Sequence, residues 1–453
     1  MALLTGTSPR LQSPGLPATV NHARLWMSLL VTGFFAVGLL FKSFIFVGGE
    51  PVAVNYIFNG LFIGGMLAGL LFTSCYQPVG RTIALLFAFA VAWVTISSAV
   101  SGITMNYVAT FSMIVMLAGC FYAVPVVCLS VGFEPWRLIN VVSLVTIFLS
   151  LAMLMVAPGL TTDPESGRFS GFFLSVAIAC NFFFLSTVLS IASALRARNN
   201  AQFYFYIGAA ILSFFFMYIT RTRSVLIETM FCVMVLCTFS PMRRGLKMLI
   251  MAIAAWLLVL GVVSGTAVST GLVSLDDQLE EFRLADGSLT AARNRNWEFG
   301  FERIADRPLF GEGLLTKQTE GGTRDLQLGE GGSYNQIYDP HSLPLSLSVQ
   351  GGIPFMLAMM SVIAIVLFRF VRRFGLVRAL QSPDFVLVAT HFPVMTLSGG
   401  DLTTLGNMVE KTFWILVGAL EVKNALVRPD DPRYRVRQPL SSIFDRAPQS
   451  AHA

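Results

Sequence analysis

Long apolar runs separated by short polar turns dominate this chain. At ~20 residues per bilayer crossing, such runs can be read near 25–46, 52–74, 82–101, 106–131, 138–158 and 169–193. A second series follows near 203–220, 224–241, 248–267, 342–368, 384–399 and 405–426. The pattern predicts about twelve spans. Backbone inside a bilayer must satisfy its own hydrogen bonds, and these runs lack the alternation of barrel strands, so the spans are read as helices. The expected fold is an all-α, polytopic integral membrane protein. One connection is far longer than ordinary ones, between the ninth and tenth spans. The expected organisation is an N-terminal tail over 1–24, spans one to nine over 25–267 and a long loop with amphipathic helices over 268–340. Spans ten to twelve over 341–427 and a C-terminal tail over 428–453 complete it.

Composition agrees with that reading: hydrophobic residues make up 55% of the chain and charged residues only 12%, which excludes an ordinary water-soluble domain. Charge then orients the spans, because short cytoplasmic loops accumulate Lys and Arg. With the N-terminus cytoplasmic, the inner loops carry Arg81, Arg137, Arg196 with Arg198, Arg243, Arg244 and Lys247, then Arg369, Arg372, Arg373 and Arg378. The outer short loops carry little beyond Lys42 and Arg168. Both ends are therefore expected in the cytoplasm, the first apolar run is read as a retained helix, and the long loop falls on the periplasmic side. The net charge of +6 belongs mostly to inner loops and the C-terminal tail, next to anionic membrane lipids, so no nucleic-acid partner is needed to explain it. The six cysteines, Cys75, Cys120, Cys128, Cys180, Cys232 and Cys237, lie in or beside apolar runs with no metal-ligand spacing, and a disulfide framework is not expected.

One tight turn breaks the charge rule: Thr220-Arg221-Thr222-Arg223-Ser224 falls on the outer side. Two arginines so placed either snorkel to lipid headgroups or grip an anionic ligand. The long loop supplies more. Residues 272–283 mix Leu275, Leu279 and Phe282 with four acids as an amphipathic surface helix does. From Ser288, an N-cap, to Pro308 a second helix is predicted. In it Arg293, Trp297, Phe301 and Ile304 share one face while Arg295, Glu302 and Asp306 lie on another, so Arg293 is a cation among apolar neighbours. A desolvated guanidinium needs a partner, and phosphate suits its fork of donors. Residues 317–339, rich in Gly and acids, read as a lid or a disordered stretch. The loop re-enters through Tyr338-Asp339-Pro340-His341-Ser342, where His341 is one of four histidines in the chain and the only one expected at this outer edge. Glu228, a turn inside the eighth span, is expected to pair with Arg223 and Ser224. Gly351-Gly352-Ile353-Pro354 is expected to kink the tenth span, and Trp297 to anchor the loop helix at the membrane interface.

Together these pieces resemble the O-antigen ligase and polymerase family of bacterial membrane glycosyltransferases. The resemblance rests on the helix count, the one long loop and three motifs: the arginine turn; Arg293 four residues before Trp297, followed by Pro308, Gly311 and Gly313; and His341 followed by Leu345 and Gly352. Ser342 stands where the family usually has Asn, and Phe355 replaces the second Gly of its Gly-x-x-Gly. The resemblance implies a GT-C-like membrane fold in the bacterial inner membrane, with its active site facing the periplasm. It implies glycosyl transfer from an undecaprenyl-pyrophosphate-linked oligosaccharide to a hydroxyl of an acceptor sugar, with no cofactor and no metal. Arg221, Arg223, Arg293 and Arg295 would bind the pyrophosphate, with Arg293 and His341 catalytic and His341 the base. Trp297, Gly311, Gly313 and Ser342 would position them. Polymerisation of O-antigen or exopolysaccharide repeat units is the first reading, ligation to the lipid A core the alternative, and polysaccharide-export proteins are candidate partners. A lipid-linked glycan transporter or flippase ranks lower, because the spans are nearly charge-free and no internal repeat is evident.

Overall fold

The computed structural model of the chain describes residues 79–102, 105–130, 134–162, 168–173, 176–197, 199–220, 222–239, 291–317, 325–327, 333–336, 340, 342–398 and 408–426. Within these, positions 223 and 291–296 are described by their backbone. The expected spans 25–46, 52–74 and 248–267, both tails and the surface helix over 272–283 lie outside the described residues.

The other nine expected spans all appear as helix. They are α1 (Arg81–Ser101); α2 (Met105–Leu117), which continues through a π-helical turn (Ala118–Ala123) into α3 (Val124–Ser130); α4 (Pro135–Val156); α5 (Val176–Ala194); α6 (Asn200–Ile219); and α7 (Arg223–Phe239). After the loop helix α8 (Ala291–Asp306) come α9 (Leu343–Phe374), the short α10 (Leu376–Ala379), α11 (Pro383–Ser398) and α12 (Met408–Leu426). Five of the described helical stretches combine the length and hydropathy needed to cross a membrane. The body is helical throughout, as expected.

The loop departs from the expectation. Residues Leu315–Lys317, Asp325–Gln327 and Ser333–Gln336 form three short strands, β1, β2 and β3, in a small antiparallel sheet of order β1-β3-β2. Tyr334 of the central strand pairs with both Lys317 and Leu326, so each backbone finds a neighbour without a helix. The sixth span also starts later than expected. Residues 168–173 are held in irregular backbone: the N–H groups of Ser170 and Gly171 donate to Thr161 O at 2.8 and 3.0 Å, and Phe172 N donates to Ser150 Oγ at 3.1 Å. Phe169 anchors the segment by stacking between Phe183 and Phe216.

Most of the aromatic runs serve the core. Phe182, Phe183, Phe184 and Phe216 are buried, whereas Phe215 faces outward. The π turn brings the carbonyl of Phe121 against the bare Cα of Gly418, where a β-carbon would collide with it. Small-residue contact of this kind lets helix backbones approach closely.

The two ends of the bundle are chemically unlike. At one end Lys423 reaches Asp384 and Glu134, both at 2.5 Å; Arg369 meets Glu421 at 3.3 Å; Arg196 donates to Gln381 O at 2.5 Å, and Gln381 Nε2 donates to Phe239 O at 2.9 Å. These contacts gather the described loops that the charge rule assigns to one side. The ends of α1, α6, α7, α9 and α11 that meet the long loop form the opposite, loop end.

Candidate functional site

At the loop end the chain breaks its longest helix to receive the loop. Gly352, inside α9, has φ +79°, and Pro354 has no N–H to donate to Gln350 O. The Ile353 N–H turns away from the helix ladder and donates to Pro308 O at 2.9 Å. That leaves the carbonyls of Val349 and Gln350 without helical partners, and the loop supplies them: Glu312 N donates to Val349 O at 2.8 Å and Gly313 N to Gln350 O at 2.9 Å. Each backbone group released by the kink is thus paired by residues 308–313, as buried irregular backbone requires.

Only glycine fits this clasp. Gly311 has φ +61°, and a β-carbon there would lie 2.5 Å from Val349 O; one on Gly352 would collide with Leu309 O. Helix α1 completes the seat. Trp93 Nε1 donates to Leu309 O at 2.9 Å, its ring stacks on Phe310 with centroids 5.3 Å apart, and Ser97 Oγ donates to Phe310 O. The Pro308, Gly311 and Gly313 motif and the Gly352 motif, forty residues apart in sequence terms on the order of a whole loop, are therefore one structural unit.

Helix α8 leans on the other foot of the loop. Gly300 lies where a β-carbon would approach Pro340 at 3.1 Å and Leu345 at 3.6 Å. Phe301, expected on the packed face, is 59% exposed, and the face that packs is Trp297, Gly300 and Ile304. A small residue permits close approach where Phe cannot, which shifts the contact stripe by one position. By helical register Arg293 shares that face. The Trp297 indole Nε1 is buried against protein and has no hydrogen-bond partner among the described residues. Arg303, on the last turn, meets Glu312 at 3.1 Å and ties α8 to the clasp. Burial pushes the Glu312 carboxyl above its ordinary value, against the opposing pull of Arg303 and Arg307.

The arginine turn is held by a residue the sequence reading passed over. Arg168 Nε donates to Thr220 O at 2.9 Å, and its Nη2 donates to that same oxygen and to Thr222 Oγ1 at 2.8 Å. A guanidinium fork suits two acceptors in one turn. The only signal was its being an arginine in an outer loop that the charge rule leaves nearly bare.

Glu228 has a partner beyond its own helix. Its Oε1 lies 2.7 Å from His391 Nδ1 of α11, in the interior, with Phe184 stacked on the imidazole at 5.8 Å. An acid in the middle of apolar helices finds its partner across the bundle and not along its own helix. The pair also sets a level. Helix α7 runs away from the loop end and α11 runs toward it, and Arg223 stands as far before Glu228 as Thr396 stands after His391. The backbone of Arg223 is thereby level with Thr396 to within about one turn, on packed helices whose axes lie ~8–10 Å apart. Thr396 O in turn accepts from Ser342 Oγ at 2.9 Å. Ser342 follows His341 directly.

Of the expected site residues, Trp297, Gly311, Gly313 and Ser342 are described in full and gather at the loop end. Arg223, Arg293 and Arg295 enter by backbone position. Arg221 and His341 lie outside the described residues, between described neighbours.

A family model described as O-Antigen ligase matches residues 208–360. The match runs from α6 into α9 and takes in the arginine turn, the loop and the clasp. The matched segment carries the motifs on which the resemblance rests. No curated protein matches the chain.

Proposed function

Proceeding from that O-antigen ligase segment, we propose that this protein transfers a glycan from undecaprenyl pyrophosphate to a sugar hydroxyl at the periplasmic face of the bacterial inner membrane, polymerising O-antigen or exopolysaccharide repeat units. The observation that carries the reading is the shared level of Arg223 and Ser342, set by the Glu228–His391 pair and the Ser342–Thr396 hydrogen bond. It supports bringing a turn with two guanidiniums beside the histidine at position 341.

In the proposed step the acceptor oxygen attacks the anomeric carbon, the bond from that carbon to the phosphate oxygen breaks, and the electron pair leaves with undecaprenyl pyrophosphate. Negative charge grows on the departing phosphate, and Arg221, Arg223, Arg293 and Arg295 stabilise it more in the transition state than in the ground state. The hydroxyl proton passes to neutral His341. The buried Trp297 N–H, which has no acceptor among the described residues, can donate to substrate oxygen. Gly311, Gly313 and Ser342 act by holding the loop and the start of α9 in register.

Transfer to lipid A core is the second reading, favoured by the description of the matching family. The test is reconstitution of the purified chain with an undecaprenyl-pyrophosphate oligosaccharide, with and without lipid A core, read on gels. Ladders select polymerisation and a single shift of the core selects ligation. Movement of donor across the bilayer with no new bond overturns both in favour of a flippase. His341→Ala is expected to abolish turnover while sparing donor binding, and Arg223→Lys to restore little of what Arg223→Ala loses, because lysine lacks the fork. Full activity in all three variants removes the proposed residues from the reaction.

A further inference from the structure

The arginine-rich end of the bundle encloses a cavity of about 390 Å³ between the start of α1, the end of α9 and the end of α12. Its walls include Gly80, Arg369, Arg372, Arg373, Glu421 and Asn424. The single carboxylate is already engaged: Glu421 meets Arg369 at 3.3 Å and accepts from Gly80 N–H at 3.0 Å. Leaving Arg373 aside, Arg369 and Arg372 against that one carboxylate give the described lining a positive surplus. Asn424 is only 9% exposed, and neither its Oδ1 nor its Nδ2 has a hydrogen-bond partner among the described residues. A buried amide unsatisfied at both atoms is costly, and its presence on the wall of a cationic cavity points to a ligand that completes it.

Depth and surroundings identify the ligand class. Helix α9 is broken at Gly352, and its straight part after the kink, residues 353–374, is ~33 Å long, enough to cross ~30 Å of hydrocarbon. Its last turns, with Arg369, Arg372 and Arg373, therefore extend into the headgroup layer. Phe368, Leu376 and Val377 at the same end are 64%, 57% and 56% exposed, and offer apolar surface to acyl chains beside the charge. Basic pockets between helix ends on the cytoplasmic side suit anionic lipid headgroups.

We propose that this cavity binds the phosphate group of an anionic phospholipid, with Arg372 and Asn424 Nδ2 donating to its oxygens and the acyl chains lying along Phe368 and Leu376. The site is separate from the loop end and does not depend on the transfer reading.

The test uses the full chain in neutral detergent, titrated with phosphatidylglycerol, phosphatidylcholine or inorganic phosphate, and read by native mass spectrometry and by thermal midpoint. Phosphatidylglycerol is expected to be retained and to raise the midpoint, and the other two are not. Arg372→Gln should weaken that retention by roughly tenfold or more, while Arg378→Gln, outside the cavity, leaves it unchanged. Asn424→Leu keeps the test open should the Arg372 variant fail to fold: it removes the buried orphan atoms, so it should hold or raise the midpoint of the lipid-free protein while losing selectivity for phosphatidylglycerol. Equal retention of phosphatidylcholine overturns the proposal. So does equal weakening by Arg378→Gln, which would mark a diffuse surface charge. Inorganic phosphate that matches the stabilisation and displaces the lipid would assign the cavity to a soluble anion, and overturns the lipid.

Discussion

Arg168 grips two oxygens of one turn. Its fork reaches Thr220 O and Thr222 Oγ1 together, so the turn between α6 and α7 is fixed by donor geometry. Arg168→Lys keeps the charge but should lose most of the activity that Arg168→Ala loses, with the two variants within a few-fold of each other in glycan-transfer rate. Activity of the lysine variant near that of the parent would show that charge alone matters there. Glu228 and His391 make a different case, an acid and an imidazole paired at 2.7 Å in the interior. His391→Leu strands the buried carboxylate and should cost on the order of 3 kcal/mol or more, whereas adding Glu228→Leu should recover much of it. Thermal midpoints in detergent check this, and a double variant no more stable than the single one contradicts it. The same double variant should transfer glycan poorly, because the level of Arg223 against Ser342 no longer has its brace. Neither Arg168 nor His391 stood out in the sequence: each is one polar residue whose partner lies far along the chain, and spacing along one helix carries no information about such pairs.

The clasp between residues 308–313 and 349–353 was legible only as its parts. Gly311, Gly313 and Gly352 were visible as motif positions, and Pro354 as a kink. That the kink frees two carbonyls and one N–H, and that the loop satisfies all three, depends on two segments meeting in space. The glycines make this testable with an internal control. Gly311→Ala and Gly352→Ala each place a β-carbon against a carbonyl oxygen at positive φ, and should cost more than ~2 kcal/mol with loss of transfer. Gly102→Ala also sits at positive φ, 68°, but in open space. It should cost only ~1–2 kcal/mol from backbone strain and leave the rate unchanged. If all three variants behave alike, close approach is not what the glycines serve. The strands around Tyr334 were not legible at all: segments of three and four residues are too short for period-two alternation to stand out among Gly and acids.

For the molecule as a whole, the spans were the easiest feature to read, since a bilayer demands ~20 apolar residues per crossing and little else mimics that. Charge sorting along the chain predicts which described loops share a side, and the contacts of Arg196, Gln381, Arg369 and Lys423 gather those ends together. Sidedness relative to the cell can be measured directly. Leu309 and Val377 are 57% and 56% exposed at opposite ends, and the five described cysteines are all buried. Leu309→Cys is expected to react with a membrane-impermeant maleimide in spheroplasts, and Val377→Cys only after permeabilisation. The reverse pattern would turn the protein over and put the loop in the cytoplasm. The clasp has a mechanical corollary. Residues 308–313 and Ser342 both bear on the first turns of α9, so these two footings rest on a single beam. Bending that beam carries both footings together, so the register between residues 308–313 and Ser342 survives the motion.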